Sequence, residues 1–328
     1  VFFPVHRFLA LVTILPTMPA VDVIHFFALL SFVFGSMVGS FLNVVVWRLP
    51  RGESLIHPPS HCPRCGWRIR PWENIPILSW LALRGRCSAC HLPISWRYPA
   101  GEAATGALFL LLFLRIVHSG WALAVIPAYF WLSGALLAAA LIDAQHRYIP
   151  NQITYSGCVA ALILAVLFPH ARLALFLPGN PHGGGMLFTA AMDVLAKLPG
   201  GQALLSFPRL QATLDCLLGL GTGLILLGIL AFAGSRLAKA SGKTEIMGWG
   251  DAKMLAMIGS FLGADACAYT LLAASAAGFL IGFARWLLHC RRDLLRQTLP
   301  FGPFLAAAAL LWMLTGNWLF RLYQLAEN

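Results

Sequence analysis

The chain has 328 residues, of which 59% are hydrophobic and only 11% charged, with a mean hydropathy of +0.77 and a formal net charge of +11. Soluble domains carry about 25% charged residues, so this composition excludes a soluble enzyme, and equally a disordered chain, a collagen or a coiled coil. At about 20 residues per crossing, the length accommodates roughly eight membrane helices and their loops.

The first twenty residues have two readings. Val5-His6-Arg7 followed by Phe8–Leu15 has the outline of a signal peptide, interrupted by Pro16 and Pro19, and Met18 offers an alternative start. Apolar runs then predict helices at 22–47, 101–117, 121–142, 153–169, 214–235, 252–263, 265–288 and 302–320, because a backbone in hydrocarbon must satisfy its own N–H and C=O groups. The run 252–263 is short and joins the next through Gly263-Ala264-Asp265. Gly35 and Gly39, and again Gly219 and Gly223, have the four-residue spacing that lets two helices approach closely. The segment 170–213 reads as an extracytoplasmic insertion punctuated by Pro178-Gly179 and Gly183-Gly184-Gly185, with Met186–Leu198 as a short interfacial helix.

Basic residues give the topology. The alternate loops 48–99, 143–152, 236–253 and 285–300 hold 17 of the 23 Lys and Arg, which places these loops in the cytoplasm and both termini outside. The same asymmetry accounts for the net charge of +11 without nucleic acid, and its expected partner is anionic lipid.

Cys62-Pro-Arg-Cys65 and Cys87-Ser-Ala-Cys90 form two C-x-x-C pairs separated by 21 residues. On a reducing face four such thiols argue for a tetrahedral zinc site rather than disulfides. Four sulfur ligands fill the coordination shell, so this zinc is structural and staples a loop with too little apolar surface to fold alone. Cys158, Cys216, Cys267 and Cys290 lie in or beside apolar runs and read as small core residues. The expected architecture is all-α: a polytopic membrane protein of about eight transmembrane helices with a zinc-stapled cytoplasmic loop. Its divisions are an N-terminal segment and first helix at 1–47, the zinc loop at 48–99, and a membrane core at 100–328.

Only 12 acidic residues occur, and an ionisable group at membrane depth is a functional candidate. Asp22, Asp215 and Asp265 fall at the outer ends of runs, where water is available. Asp143 ends the third run and Asp251 opens the sixth, both on the cytoplasmic side. Two carboxylates in one partly dry site share a proton, so one acts as base on water while the other donates to a carbonyl oxygen. That is the equipment of an aspartic peptidase. Taken singly, Asp251 reads as a helix cap and Asp143 as a solvated helix end. Gly248 and Gly250 would let backbone approach a substrate strand.

Several longer stretches carry a resemblance. They are Gly39-Ser-Phe-Leu-Asn-Val-Val-Val-Trp-Arg-Leu-Pro50, Cys62-Pro-x-Cys65, Glu73-Asn-Ile-Pro-Ile-Leu-Ser-Trp80, Arg84-Gly-Arg-Cys87, Pro93-Ile-Ser-Trp-Arg-Tyr-Pro99, Glu102, Asp143 with Ile149-Pro150, Gly248-Trp-Gly-Asp-Ala-Lys253, and Pro300-Phe-Gly-Pro-Phe-Leu305. Together these resemble the bacterial type IV prepilin peptidases, also called leader peptidase–N-methyltransferases, from about residue 25 onward. The resemblance implies a bacterial inner-membrane enzyme that cuts the basic leader of type IV prepilins or type II secretion pseudopilins after a glycine, on the cytoplasmic side. It implies Asp143 and Asp251 as the catalytic pair, with Gly248, Gly250, Lys253 and Pro150 as supporting motif residues. It further implies methylation of the new N-terminal amine with S-adenosylmethionine, associated with the zinc loop. Asn151 stands where many members have Asp, and the 170–213 insertion is longer than usual.

The residues alone do not reach methyl transfer, since no G-x-G-x-x-G loop follows a strand pattern. Glu102 is the one candidate to sit near an amine or a cationic sulfonium, against a plain reading as a first-turn helix acid. The alternatives are a peptidase without methyl transfer and a proton-coupled transporter. A transporter predicts inverted repeats with interrupted helices, and no such symmetry is visible.

Overall fold

The computed structural model describes residues 20–119, 123–170, 186–199, 201–240, 248–289 and 300–327. The signal-like segment, Met18, the glycine-rich punctuation of the insertion and Cys290 lie outside these residues. The described residues contain helices and no β-strand, with two isolated bridges, His61 with Arg68 and Arg86 with Pro93. The chain divides into two compact units, 1–120 and 121–328.

In the first unit, α1 (Ala20–Arg48) pairs with α3 (Arg97–His118). The small residues predicted to allow close contact do so. A Cβ on Gly35 would lie 2.8 Å from Phe109 Cβ, and one on Gly39 would lie 2.9 Å from the Glu102 Cα. Phe109, Leu112 and Ile116 are fully buried in this unit, while Leu29, Phe34, Met37 and Phe41 of α1 face outward. An outward apolar face of this kind is at home in lipid. Helix α1 ends at Arg48, where Pro50 cannot continue it and Gly52 turns the chain with φ +68°. The connection to α3 carries a 3-10 turn at Pro71–Asn74 and the short α2 (Leu78–Ala82).

The second unit holds α4 (Ile126–His146), α5 (Asn151–Leu167), α6 (Met186–Ala196), α7 (Gly201–Leu205), α8 (Pro208–Ala240), α9 (Trp249–Leu262), α10 (Ala264–His289) and α11 (Gly302–Glu327). Helix α6 forms where an interfacial helix was expected. Helix α9 is its centre: ten of its 14 residues are buried, and α5, α8 and α10 pack around it. A helix enclosed on every side has to be apolar all round, as Met254–Gly259 is, and the buried Ser260 hydroxyl is satisfied by the Met257 carbonyl. Gly219 of α8 meets Gly259 backbone to backbone, and a Cβ on Gly223 would lie 2.5 Å from the Leu255 carbonyl oxygen.

All eight predicted runs fall on helices, and the expected count of eight spans is not confirmed. Among the described residues, five helices are long and apolar enough to cross a bilayer: Asp22–Arg51, Arg97–His118, Leu123–His146, Pro208–Ala233 and Ala264–Arg285. Helices α5 and α9, with 17 and 14 residues, are about 26 and 21 Å long at about 1.5 Å per residue. Both fall short of the roughly 30 Å of hydrocarbon. Helix α9 is sheltered by protein rather than lipid, so it has no need of the full length.

Candidate active site and metal centre

The two C-x-x-C pairs fold as repeats of one local structure, 25 residues apart. The Cys62 N–H donates to Trp67 O at 2.9 Å and the Gly66 N–H to Cys62 O at 2.9 Å; the Cys87 N–H donates to Leu92 O at 2.9 Å and the His91 N–H to Cys87 O at 3.0 Å. Each knuckle is closed behind the sulfurs, by Ile69 N–H to Ser60 O and by Ile94 N–H to Gly85 O. The residue after each second cysteine is left-handed, Gly66 at φ +69° and His91 at φ +56°. This geometry turns backbone N–H groups toward sulfur and brings both pairs together.

The Sγ atoms of Cys62 and Cys90 are 4.0 Å apart, as are those of Cys65 and Cys87, and all four lie within 4.8 Å of one another. A tetrahedron with metal–sulfur bonds of about 2.3 Å has edges of about 3.8 Å, so the four thiols fit one metal ion. The Cys65 and Arg64 backbone N–H groups draw the Cys62 thiol down to about 6. Against the pull of the Trp67 N–H, burial and the neighbouring sulfurs push Cys65 up to about 11. One thiolate thus forms readily at neutral pH, and a dication supplies the charge that the others need.

In the second unit, Asp143 occupies the last turn of α4, is 6% exposed, and accepts a hydrogen bond from the Gly302 N–H at 2.9 Å. Helix α4 stops just beyond it: Arg147 is left-handed at φ +57°, and its N–H returns to the Asp143 carbonyl at 2.9 Å. Asp251 lies in the first turn of α9, half-buried, with its N–H on the Gly248 carbonyl. The helix therefore begins at Trp249 with Gly248 as its cap, three residues earlier than a cap at Asp251 would require. A Cβ on Gly250 would lie 3.2 Å from Ile149 Cβ, so the head of α9 packs directly on the segment leaving Asp143. The Asp143 charge bears on Asp251. Two carboxylates, 108 positions apart in sequence, thus share one electrostatic environment, with a helix N-terminus aimed at one of them.

Residues 33–116 match the bacterial peptidase A24 N-terminal domain, and residues 130–283 match the type IV leader peptidase family. The chain belongs to the type IV leader peptidase family. Membership places it among membrane peptidases. The prepilin leader peptidase/N-methyltransferase of Pseudomonas putida is 34% identical over 314 residues, covering 89% of this chain and 92% of the relative. That of Pseudomonas aeruginosa is 34% identical over 320 residues, covering 90% and 93%. The Myxococcus xanthus relative of the same name is 35% identical over 256 residues, which is 78% of this chain but only 62% of that protein. No solved structure matches the chain significantly.

The remaining candidates of this leader-peptidase chain fall in different places. Lys253 donates from Nζ to Asn151 Oδ1 at 2.9 Å and lies 5.2 Å from the Tyr155 ring centroid, so it ties the head of α9 to the head of α5. Pro150 is the residue that caps α5. A Cβ on Gly248 would meet nothing nearer than the Gly250 nitrogen at 3.8 Å, whereas the room at Gly250 is taken by Ile149. Asp22 is exposed, and Asp265 accepts from the Leu187 N–H at 3.2 Å. Asp215, expected at a watery helix end, is only 1% exposed, because α8 begins at Pro208 and carries it two turns inside. Glu102 is buried in the second turn of α3 and accepts from the Ile77 N–H at 2.8 Å.

Gly302 is the site residue whose role sequence reasoning missed. It stands in the quoted Pro300–Leu305 stretch, but only the packing of α11 on α4 shows why it is glycine. A Cβ there would lie 2.7 Å from Asp143 Oδ2. Gly302→Ala should displace the Asp143 carboxylate, and a misplacement near 1 Å is worth about 100-fold in rate. Cleavage by membrane-inserted Gly302→Ala enzyme, compared with wild type at equal abundance, checks this; a wild-type rate would show that Asp143 tolerates the shift.

Proposed function

We propose that this chain removes the leader of type IV prepilins or type II secretion pseudopilins after a glycine, at the cytoplasmic face of the inner membrane. The observation that carries the reading is the pair itself: Asp143, buried at the end of α4 and held by the Gly302 N–H, with Asp251 close enough to feel its charge. One carboxylate takes a proton from water as the water oxygen bonds to the scissile carbonyl carbon. The other, protonated, gives its proton to the carbonyl oxygen. The C–N bond then breaks as the first carboxyl passes that proton to the departing nitrogen and the second takes one back from a hydroxyl of the tetrahedral intermediate, so the pair ends with the proton it began with.

The relatives' name supports a second activity, methylation of the new N-terminus. The deprotonated amine nitrogen bonds to the methyl carbon of S-adenosylmethionine while the carbon–sulfur bond breaks and its electron pair stays on sulfur. In this reading the loop 48–99, with zinc on Cys62, Cys65, Cys87 and Cys90, belongs to methyl transfer, and 100–328 contains the peptidase pair. Zinc with four thiolates has no open position, so its role is to hold the loop.

Anionic lipid is the proposed partner of the loop's basic surface. Arg51 stacks on Trp47 at 3.8 Å, and Arg70 lies 5.3 and 5.6 Å from the Trp67 and Trp72 rings. All three tryptophans are exposed, and such Arg–Trp pairs suit a headgroup region.

Co-expression with a candidate prepilin, followed by mass analysis of the pilin N-terminus, tests both activities at once. The expected product lacks its leader and carries one added methyl group. A retained leader would overturn the proposal, and a cut but unmethylated product would leave the peptidase alone.

A further inference from the structure

We propose that Asn43 and Glu102, at one corner of the α1–α3 contact, bind an α-ammonium group flanked by a carbonyl or carboxylate oxygen. That chemistry is shared by a new peptide N-terminus and by the amino-acid end of the methyl donor. The inference deepens the methyl-transfer reading above and rests on it.

Asn43 lies one turn beyond Gly39 on α1, on the side that meets α3. Its Nδ2 is buried and has no hydrogen-bond partner. A buried amide donor with no acceptor destabilises a fold, whereas an apolar side chain of similar shape would not. The position therefore asks for an acceptor that arrives from outside the chain. The facing residue on α3 is Gly101, where a Cβ would sit 3.7 Å from Asn43 Oδ1.

The next residue supplies the opposite chemistry. Glu102 has its Cα against Gly39 and is 8% exposed. Its Oε2 accepts the Ile77 N–H at 2.8 Å, which leaves lone pairs of the carboxylate unused. Among the described residues no cation pairs with it, and the buried Arg48 donates instead to the Ser54 carbonyl at 3.0 Å. A buried carboxylate without a counter-charge calls for a cation. Ile77 is itself β-branched and left-handed, at φ +63° and ψ −53°. Such backbone persists where the surroundings hold it, and it concentrates at ligand clamps. An ammonium on Glu102 and a neighbouring carbonyl or carboxylate oxygen on Asn43 Nδ2 satisfy both groups together.

Asn43→Leu in the full chain, purified in detergent, separates these roles. The variant should unfold at the wild-type temperature or above, since it removes a buried unpaired donor. It should retain leader cleavage and bound metal, and it should lose N-methylation by about tenfold or more. Glu102→Gln keeps an oxygen for the Ile77 N–H and removes the charge; it should lose methylation with the loop still protease-resistant.

Two probes identify the ligand. If S-adenosylmethionine stabilises wild type against heat and does not stabilise Asn43→Leu, the methyl donor occupies the corner. If a dipeptide amide with a free N-terminus behaves this way instead, the peptide does. Asn43→Leu methylating like wild type would overturn the proposal and leave an ordered water as the partner of Nδ2. A wild type that never methylates would refute the activity reading, and the two thermal shifts would still decide the site: their absence from wild type, or their persistence in Asn43→Leu, overturns it.

Discussion

Asp143→Asn and Asp251→Asn should each abolish leader cleavage while the protein stays inserted and folded. General acid–base catalysis by a positioned group is worth about 10²–10⁴-fold, and each member of a pair that trades one proton is needed in both halves of the reaction. The expected loss is therefore about 10³-fold or more for either variant, with the double variant little worse than the singles. Asn keeps the volume and can still accept the Gly302 N–H at 2.9 Å, so a loss cannot be assigned to packing. The measurement is leader removal from a co-expressed prepilin, with membrane abundance as the control. Substantial cleavage by either single variant would sink the pair. Asp22→Asn, on an exposed residue, should leave cleavage intact, and inactivation there would mean that the site lies elsewhere.

The second large effect concerns the metal. Purified wild type in reducing buffer should carry about one zinc per chain, and Cys62→Ser with Cys65→Ser should carry essentially none. Removing two of four thiolates from a site whose sulfurs lie within 4.8 Å of one another removes most of the binding energy, which in zinc-finger peptides is about 10–16 kcal/mol. The loop has little else to order it: among its residues Arg48, Gly85 and Cys87 are buried, while Ile56, Trp72, Leu78 and Trp96 are exposed. Loss of metal should therefore appear as protease sensitivity between residues 52 and 96. Cleavage should fall less than methylation, because Asp143 and Asp251 belong to the other unit. Metal-free wild type, prepared without chelator, would contradict the assignment.

Local sequence dictates one part of this protein and leaves the rest to the fold. The eight apolar runs, the four cysteines and the two aspartates were legible because each depends on a short-range rule. Hydrocarbon forces the backbone to pair within its own segment, and C-x-x-C spacing brings two sulfurs to one side of a tight turn. The aspartates stood out because charge is rare in this chain. Which runs are long enough to span was less legible, since α9 is apolar for burial among helices rather than for contact with lipid.

The rest waited for tertiary structure because it depends on residues distant in sequence. Nothing near Gly302 in the chain announces that its N–H meets a carboxylate 159 positions earlier. Asp215 looked like a helix end until α8 was seen to start at Pro208. Asn43 and Glu102 read separately as an ordinary polar residue and a helix acid. Only the close approach of α1 and α3, permitted by Gly39, leaves one with a buried unpaired donor beside the buried carboxylate of the other. Hydrophobic pattern fixes which segments become helices, because it acts over one turn. The contacts between those helices are set by shape and hydrogen bonding across the fold, and these no single segment encodes.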